Sequence, residues 1–292
     1  MEAAFLGLGL MGEPMAANLQ RRMAGLVVWN RSAAAADRLR QDGAIVASSA
    51  RNALRSASLI FLMLGNSDAV NEVLECETEA FSDNVRGRVV VNMGTVAPDY
   101  SLALSRAIDL AGGHYVECPV SGSRNVAVAG KLVAMIAGPE QVIEKVMPLV
   151  RLLTSDIYLC GDIPGALRSK LAVNLFLITM VTGLAEAMNF AVSQGVDTEL
   201  FRRILDAGPM ASVVSSGKLE KLVSGDMEAQ AALRDVEFIA RLIRAEAEKS
   251  SVATPMLDGC QALLENAIEM GEGHLDMVAV IRAIAQHRLP NQ

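Results

Sequence analysis

Short apolar runs alternate with helical segments over the first half of the chain, and no other feature of the sequence constrains the fold as much. The predicted strands are Ala3–Leu8, Leu26–Trp29, Ala44–Val46, Leu59–Leu64, Val89–Asn92, Tyr115–Val120, Leu132–Ala137 and Ile157–Leu159. Strands joined by crossover helices form a mostly parallel sheet that is covered on both faces. Since Val126–Lys131 is short for a helical crossover, we expect the last strands to pair antiparallel.

The pattern changes after Pro164, where helical periodicity begins and continues almost to the C-terminus. The predicted helices are Ala166–Gln194, Thr198–Asp206, Ala229–Glu248, Thr254–Glu269 and Asp276–His287, punctuated by Gly195, Gly208–Pro209, Gly217, Gly225, Gly271 and Gly273. We therefore expect an α/β domain over residues 1–162 and an all-α domain over residues 163–292. The first of these helices would be about 43 Å long. It is too apolar to lie exposed, so we expect a homodimer or homotetramer in which a partner subunit covers part of it.

Charge and composition exclude several classes of function. The formal net charge is −7, and the basic residues are scattered, so the footprint of a nucleic-acid-binding protein is missing. The most apolar run, Leu171–Met188, is interrupted by polar residues, which favours a buried helix over a membrane span. The N-terminus lacks the pattern of a secretory signal. The four cysteines have neither disulfide nor metal-site spacing, so we expect no metal and a cytoplasmic location.

A glycine-rich turn, Gly7-Leu8-Gly9-Leu10-Met11-Gly12, follows the first predicted strand and opens a helix. In this GxGxxG pattern Gly7 permits the tight turn, and Gly9 lets the backbone approach a pyrophosphate. Gly12 allows the helix to pack closely on the strand. Because the helix N-terminus faces the phosphates, the context predicts a dinucleotide site in a Rossmann-type domain.

The residues after the second strand indicate which dinucleotide is bound. An enzyme that uses NAD carries an acidic residue there, for the ribose 2′-hydroxyl. This chain has Asn30, Arg31 and Ser32 instead. Arg31 can form a charge-assisted contact to a 2′-phosphate, and Ser32 can donate a hydrogen bond. We therefore expect NADP(H) to be preferred over NAD(H), unless Arg31 is merely a solvated residue.

Several motifs, in order along nearly the whole chain, carry a family resemblance. They are residues 7–19 (GLGLMGEPMAANL), 117–123 (ECPVSGS), 129–132 (AGKL), 165–174 (GALRSKLAVN), 233–236 (LRDV) and 273–277 (GHLDM). The chain resembles the β-hydroxyacid dehydrogenases, the family of 3-hydroxyisobutyrate dehydrogenase and its semialdehyde-reductase relatives. The resemblance implies a Rossmann domain, a long interdomain helix and a helical domain for substrate binding and oligomerisation. It also implies reversible hydride transfer between a nicotinamide and a small hydroxy acid or semialdehyde.

Lys170 and Asn174 are the predicted catalytic pair. The alkoxide left by hydride transfer needs a proton, and a lysine on an apolar helix has its pKa lowered by desolvation. Asn174 lies four residues later, on the same face, and can orient the amine or the substrate.

Other positions carry predicted binding roles. Ser121, Gly122 and Ser123 offer hydroxyls and open backbone N–H groups to a substrate carboxylate. Met63, Leu64 and Thr95 lie at strand ends, and the resemblance places them beside the ribose and nicotinamide. It places Arg234 near the nicotinamide or the substrate.

The sequence departs from the family pattern at several positions. Arg234 stands where the family usually has Lys, so a planar fork replaces a point charge. Arg124, with Asn125, either reshapes the pocket, grips a second anionic group or points to solvent. Glu117 and Cys118 stand where Asp and Ala are common; Cys118 is a candidate pocket residue without signs of reactivity.

Two alternatives stay open at this point. One is an imine reductase, although those relatives generally carry Asp or Tyr where this chain has Lys170. The other is a catalytically silent NADP-binding module used for assembly, although such relatives have lost the lysine. The three histidines, His114, His274 and His287, are well separated and are assigned no catalysis.

Overall fold

The computed structural model describes residues 2–286, and its first part is built on a six-stranded parallel sheet. The strands are β1 (Ala3–Leu6), β2 (Val27–Trp29), β3 (Ile45–Val46), β4 (Leu59–Leu62), β5 (Val89–Asn92) and β6 (His114–Glu117). They lie in the order β3-β2-β1-β4-β5-β6. The order reverses between β1 and β4, where doubly wound sheets bind their ligands. The predicted Rossmann-type α/β fold is confirmed.

Helices cover both faces of this sheet. They are α1 (Gly12–Gln20), α2 (Ala33–Gln41), α3 (Ala50–Arg55), α4 (Ser67–Leu74), α5 (Ala80–Val85), α6 (Pro98–Leu110), α7 (Arg124–Val128) and α8 (Glu140–Val150). All four residues of β1 are buried, and alternate ones enter separate cores. Phe5 packs in a core with Leu19 of α1, and Leu6 packs in another with Leu54 of α3. Successive side chains of a strand point to opposite faces, so an all-apolar strand is buried on both sides.

A second sheet follows, made of β7 (Val120–Ser121), β8 (Leu132–Ile136) and β9 (Thr154–Leu159). The pair β7–β8 is antiparallel, as predicted, and β8–β9 is parallel. The prediction of one continuous strand over Tyr115–Val120 is wrong, because the chain leaves the first sheet at Glu117 and enters the second at Val120. Pro119 lies at this break; it has no N–H to donate, so it cannot continue the ladder of backbone hydrogen bonds.

The rest of the described chain is helical, as predicted. Its helices are α9 (Gly165–Ser193), α10 (Thr198–Ala207), α11 (Val213–Ser224), α12 (Leu233–Lys249), α13 (Pro255–Glu269) and, after a 3₁₀ turn at Met277–Val280, α14 (Ile281–Gln286). The chain divides into two compact units, one ending at Lys170 and the other beginning at Leu171. The domain boundary expected at residues 162–163 stays a prediction. In the second unit Val181 of α9, Ala240 of α12 and Leu264 of α13 share one apolar core.

Three details of the helical part differ from the sequence prediction. Helix α11 was not predicted: Ser212 and Ser215 form a capping box at its start, and Gly217, expected as punctuation, lies inside it. Helix α12 begins at Leu233 and not at Ala229. The reason is that the carboxylate of Asp276 accepts hydrogen bonds from the backbone N–H groups of residues 230 and 231. The predicted helix Asp276–His287 opens with the 3₁₀ turn, and His287 lies outside the described residues.

Helix α9 is the one helix between residues 2 and 286 that is long and apolar enough to cross a membrane by length and composition. The core helix of a globular protein can have the same length and composition. Its buried residues include the polar Asn174 and Thr182 together with Ile178, Val181 and Ala185. They recur at helical spacing, so one stripe of α9 packs inside the protein.

Candidate functional site

The glycine turn lies at the carboxyl end of β1, packed tightly against neighbouring backbone. Gly7 has φ +96°, and a Cβ there would meet the carbonyl oxygen of Met63 at 2.3 Å. A Cβ on Gly12 would meet the carbonyl oxygen of Gly7 at 1.9 Å. A Cβ on Gly9 meets nothing within 4 Å, so the backbone there borders open space. Gly7 and Gly12 therefore serve packing, while Gly9 leaves room for an approaching group.

The start of α1 supplies free donors at this turn. Its N-cap is Met11, whose side chain makes no capping hydrogen bond. The first N–H groups of a helix have no intrahelical partner, and together with the helix dipole they bind anions. Leu8 is buried, whereas Leu10 and Gly9 are exposed at the rim of the turn. This cradle fits a pyrophosphate.

Asn30 connects the turn to the end of β2. Its Oδ1 accepts a hydrogen bond of 2.9 Å from the backbone N of Leu8, and its Nδ2 donates to the hydroxyl of Ser32 at 2.9 Å. The Arg31 side chain is 85% exposed, with one Nη atom 3.9 Å from a carboxylate oxygen of Glu72. Asn30 therefore links the glycine turn to the residues after β2, while Arg31 stays accessible to an anion.

The predicted residues at the strand ends lie close to the turn. Met63 and Leu64 follow β4, and both contact the position where a Gly7 Cβ would stand. A Cβ on Gly94 would lie 2.5 Å from the carbonyl oxygen of Leu64, so the loops after β4 and β5 are in close contact. Thr95 is half-buried directly after Gly94. The structure thus brings the turn, Met63–Leu64 and Thr95 to one edge of the sheet.

The segment Ser121–Ser123 joins β7 to α7. Gly122 has φ +140°, and a Cβ there would lie 2.7 Å from the side chain of Leu132, so only glycine fits. Neither serine hydroxyl has a hydrogen-bond partner within residues 2–286, and both remain available to a ligand.

Arg124 and Asn125, which follow this segment, are exposed at the start of α7. The pKa of Glu13, in the first turn of α1, is lowered mainly by its hydrogen bond with Arg38 and to a smaller extent by the charge of Arg124. Arg124 therefore contributes positive charge near the start of α1.

Lys170 and Asn174 lie one turn apart on α9 and are 8% and 3% exposed. Burial lowers the pKa of Lys170 from 10.5 to about 8. In the described part of the chain neither side chain has a hydrogen-bond or ion-pair partner. A buried amine with a lowered pKa and free donors is suited to proton transfer at near-neutral pH.

Glu117, which the sequence analysis noted only as a departure from the family pattern, is a fully buried glutamate that makes a hydrogen bond. It is 0% exposed, and its Oε2 accepts a hydrogen bond of 3.2 Å from the backbone N of Leu167 in α9. Burial raises its pKa. Burial also raises the pKa of the Cys118 thiol to about 12, so this thiol stays protonated at neutral pH.

A buried hydrogen-bonded group near Glu117 was missed from the sequence. Asn92 Nδ2 donates to the hydroxyl of Tyr115 at 3.1 Å, and that hydroxyl lies 2.8 Å from the hydroxyl of Ser101. Asn92 Oδ1 accepts from the backbone N of Gly94 at 3.1 Å. The one signal in the sequence that could have revealed it is a polar residue, Asn92, at the end of an otherwise apolar strand and directly before a Met-Gly pair.

Arg234 belongs to the second unit, at the start of α12. Its backbone N and its Nε both donate to the carbonyl oxygen of Gly273, at 3.1 and 3.0 Å. The side chain is thereby fixed at Nε, while the two Nη groups have no partner within residues 2–286. Among those residues there is no cluster of three or more His, Cys, Asp or Glu side chains that could hold a metal ion.

Comparison with known proteins identifies the family. Residues 2–161 match the NAD binding domain of 6-phosphogluconate dehydrogenase. Residues 166–284 match the family described as NAD-binding of NADP-dependent 3-hydroxyisobutyrate dehydrogenase. The chain is 30% identical to 2-(hydroxymethyl)glutarate dehydrogenase of Eubacterium barkeri, over 98% of this chain and 95% of that protein. The chain belongs to the β-hydroxyacid dehydrogenase family.

Further similarities agree with this assignment. Glyoxylate/succinic semialdehyde reductase 1 of Arabidopsis thaliana is 29% identical, over 97% of this chain and 98% of that protein. A solved structure described as Psf3 in complex with NADP+ and 2-OPP superposes with a TM-score of 0.90 at 24% identity, covering 97% of this chain and 99% of that one. As a β-hydroxyacid dehydrogenase the protein is an NAD(P)-dependent oxidoreductase of the class acting on hydroxyl and aldehyde groups.

Proposed function

We propose that this β-hydroxyacid dehydrogenase transfers hydride reversibly between NADP(H) and a small hydroxy acid or semialdehyde, with Lys170 as general acid and base. The observation that carries the proposal is the Lys170 amine, which is buried, has no partner among the described residues and has a pKa lowered to about 8. Near pH 8 such an amine exists in both protonation states, so it can give a proton in reduction and take one in oxidation.

The nicotinamide, when bound, supplies or accepts the hydride. The chain's own residues do the rest. The start of α1 and the open backbone at Gly9 hold the pyrophosphate, and Met63, Leu64 and Thr95 line the edge where the cofactor lies. In the reductive direction the ammonium of Lys170 donates its proton to the oxygen that develops negative charge, and Asn174 orients the amine or the substrate.

The preference for NADP(H) over NAD(H) is supported by the charge at the end of β2. Arg31 is exposed, Ser32 offers a hydroxyl, and the residues that directly follow β2 include no acid, although the Glu72 carboxylate lies 3.9 Å from Arg31. The Psf3 structure, bound to NADP+, has the same fold. Arg31→Ala should raise the KM for NADPH about tenfold, as expected for loss of one charged contact, and leave the KM for NADH unchanged. A preference for NADH in the wild type would contradict the proposal.

The substrate we propose carries a carboxylate. The free hydroxyls of Ser121 and Ser123 and the exposed backbone at Gly122 are donors of the kind that bind a carboxylate. Glyoxylate and succinic semialdehyde, which give the Arabidopsis relative its name, are both small carboxylate-bearing aldehydes.

The decisive experiment follows NADPH consumption with glyoxylate, succinic semialdehyde, 2-hydroxy-3-oxopropionate and a cyclic imine. We expect turnover of at least one aldehyde, abolished in Lys170→Met, with NADPH binding retained. Lys145→Met, which changes an exposed lysine of α8, is the matched control and should keep full activity. Retained turnover in Lys170→Met would remove Lys170 from the mechanism. Turnover of the imine alone would favour an imine reductase, and NADPH binding without any turnover would favour a silent module.

We also propose a homodimer or homotetramer, in the cytoplasm, without nucleic-acid or membrane partners. The support is the exposed apolar surface of α9, where Phe176 and Phe190 are 69% and 65% exposed. Large apolar side chains left exposed on a helix mark contact sites, which a second copy of the chain can cover. Light scattering should give a mass of at least twice 31.0 kDa, and a monomeric mass would contradict the proposal.

A further inference from the structure

Glu117 lies where three elements of the first unit meet. It closes β6, where it is paired with Asn92 of β5. Its backbone N and O exchange hydrogen bonds of 3.0 Å with Ala137, directly after β8, so it also joins the two sheets. Its side chain, with 0% exposure, reaches the third element, the start of α9.

The contact with α9 satisfies a donor that the helix itself leaves free. The N–H groups of a first helical turn have no intrahelical partner. In α9 the N of Arg168 bonds back to the carbonyl of Pro164 at 3.1 Å, whereas the N of Leu167 donates to Glu117 Oε2 at 3.2 Å. A carboxylate at this end of a helix is also stabilised by the helix dipole. Lys170 follows Leu167 by three residues, so the anchored turn leads directly to the amine.

The second carboxylate oxygen, Oε1, is buried and has no hydrogen-bond partner within residues 2–286. Burial raises the pKa of Glu117, and the hydroxyl of Ser101 and the N–H of Leu167 oppose part of that rise. An unsatisfied buried carboxylate oxygen costs stability. A leucine of similar volume would avoid this cost, so packing alone does not account for a glutamate here.

Glu117 also begins the segment that carries the candidate substrate-binding residues. Ser121 and Ser123 follow it by four and six residues, after the break at Pro119. We propose that Glu117 is a positioning residue, whose carboxylate holds the first turn of α9, and with it the Lys170 amine, in a fixed place relative to Ser121–Ser123. This inference rests on the role of Lys170 proposed above.

Three substitutions of Glu117 test whether the hydrogen bond that its carboxylate accepts from α9 is what matters for turnover. Glu117→Leu keeps the volume and removes the acceptor, and should lower kcat about 10- to 100-fold, the effect of a displacement near 1 Å, with little change in the Kd for NADPH. Glu117→Gln keeps an oxygen that accepts from Leu167 and should stay within about threefold of the wild type. Glu117→Asp withdraws the carboxylate by one methylene and should give an intermediate kcat.

The pH dependence of kcat/KM gives a second readout. If the start of α9 loosens in Glu117→Leu, water reaches Lys170, and the pKa seen in the profile should rise from about 8 towards 10.5. A general loss of stability would not produce this shift. The control is Glu237→Leu, which removes another buried glutamate, on α12, where it pairs with Arg241. It should lower the melting temperature without changing kcat or the profile.

Each outcome decides the proposal. Wild-type kcat and profile in Glu117→Leu, or a kcat in Glu117→Gln as low as in Glu117→Leu, would overturn it. If Glu117→Leu does not fold, Glu117→Asp decides in the same way, and an unchanged kcat there overturns it. Full activity in Lys170→Met would instead refute the proposed function. An inactive Lys170→Met with unaffected Glu117 variants would refute the positioning role alone.

Discussion

The two glycines Gly9 and Gly12 belong to one motif, yet alanine at each should have opposite consequences. A Cβ on Gly12 would stand 1.9 Å from the carbonyl oxygen of Gly7, so the turn or the helix must move by about 1.5 Å to reach ordinary contact. We expect Gly12→Ala to lower the free energy of unfolding by about 2 kcal/mol, within the range for overpacked sites. A Cβ on Gly9 meets nothing within 4 Å, so Gly9→Ala should leave stability unchanged.

Gly9→Ala should instead weaken cofactor binding, because the new methyl group occupies the space through which a pyrophosphate approaches the backbone. Loss of one charge-assisted hydrogen bond, about 1.5–3 kcal/mol, raises Kd roughly 10- to 150-fold. Urea denaturation without cofactor measures the first effect, and titration with NADPH measures the second. Wild-type affinity in Gly9→Ala, or wild-type stability in Gly12→Ala, would refute the division of roles between the two glycines.

Three further predictions concern charged side chains. Lys170→Met should stabilise the cofactor-free protein at pH 7 by up to about 3 kcal/mol, the equivalent of a pKa lowered from 10.5 to about 8. The sign follows because the unfolded chain holds the lysine proton up to higher pH. This lysine therefore makes wild-type stability rise between about pH 8 and 10.5, and urea denaturation should show that rise to be missing in the variant. Glu72→Gln removes a carboxylate 3.9 Å from Arg31 and should lower the Kd for NADPH by a factor of about two to five at low salt. Exposed charges are screened in about 1 M salt. The prediction would be contradicted if the Kd for NADH fell by a similar factor, or if the lower Kd for NADPH persisted at that salt concentration. Asp276→Asn leaves the buried ammonium of Lys218, now 2.6 Å from a carboxylate oxygen, without its counter-charge and should cost roughly 3 kcal/mol of unfolding free energy. The double variant with Lys218→Met should recover part of this loss, and no recovery would point to the backbone contacts of Asp276 instead.

Features with a local cause could be predicted from the sequence. The apolar runs of β1, β4 and β5 are buried on both faces, so their composition alone indicates a covered parallel sheet. The glycine-rich turn and the absence of an acidic residue directly after β2 could also be predicted, because each feature depends on residues a few positions apart. The long helix α9 was predicted to within one residue at either end. Its apolar periodicity continues without a proline, and the single internal glycine, Gly183, does not end it.

The tertiary structure decided what depends on partners far apart in the chain. The apolar run Tyr115–Val120 is divided between two sheets at Pro119, which its composition does not reveal. The start of α12 depends on Asp276, which accepts a hydrogen bond from the backbone N of Gln230, 46 residues away. The carboxylate of Glu117 meets α9 across 50 residues, and the lowered pKa of Lys170 depends on side chains that the fold packs around it. Periodicity and propensity are properties of neighbours along the chain. The hydrogen bonds and desolvation that set a site's chemistry arise only where distant segments meet.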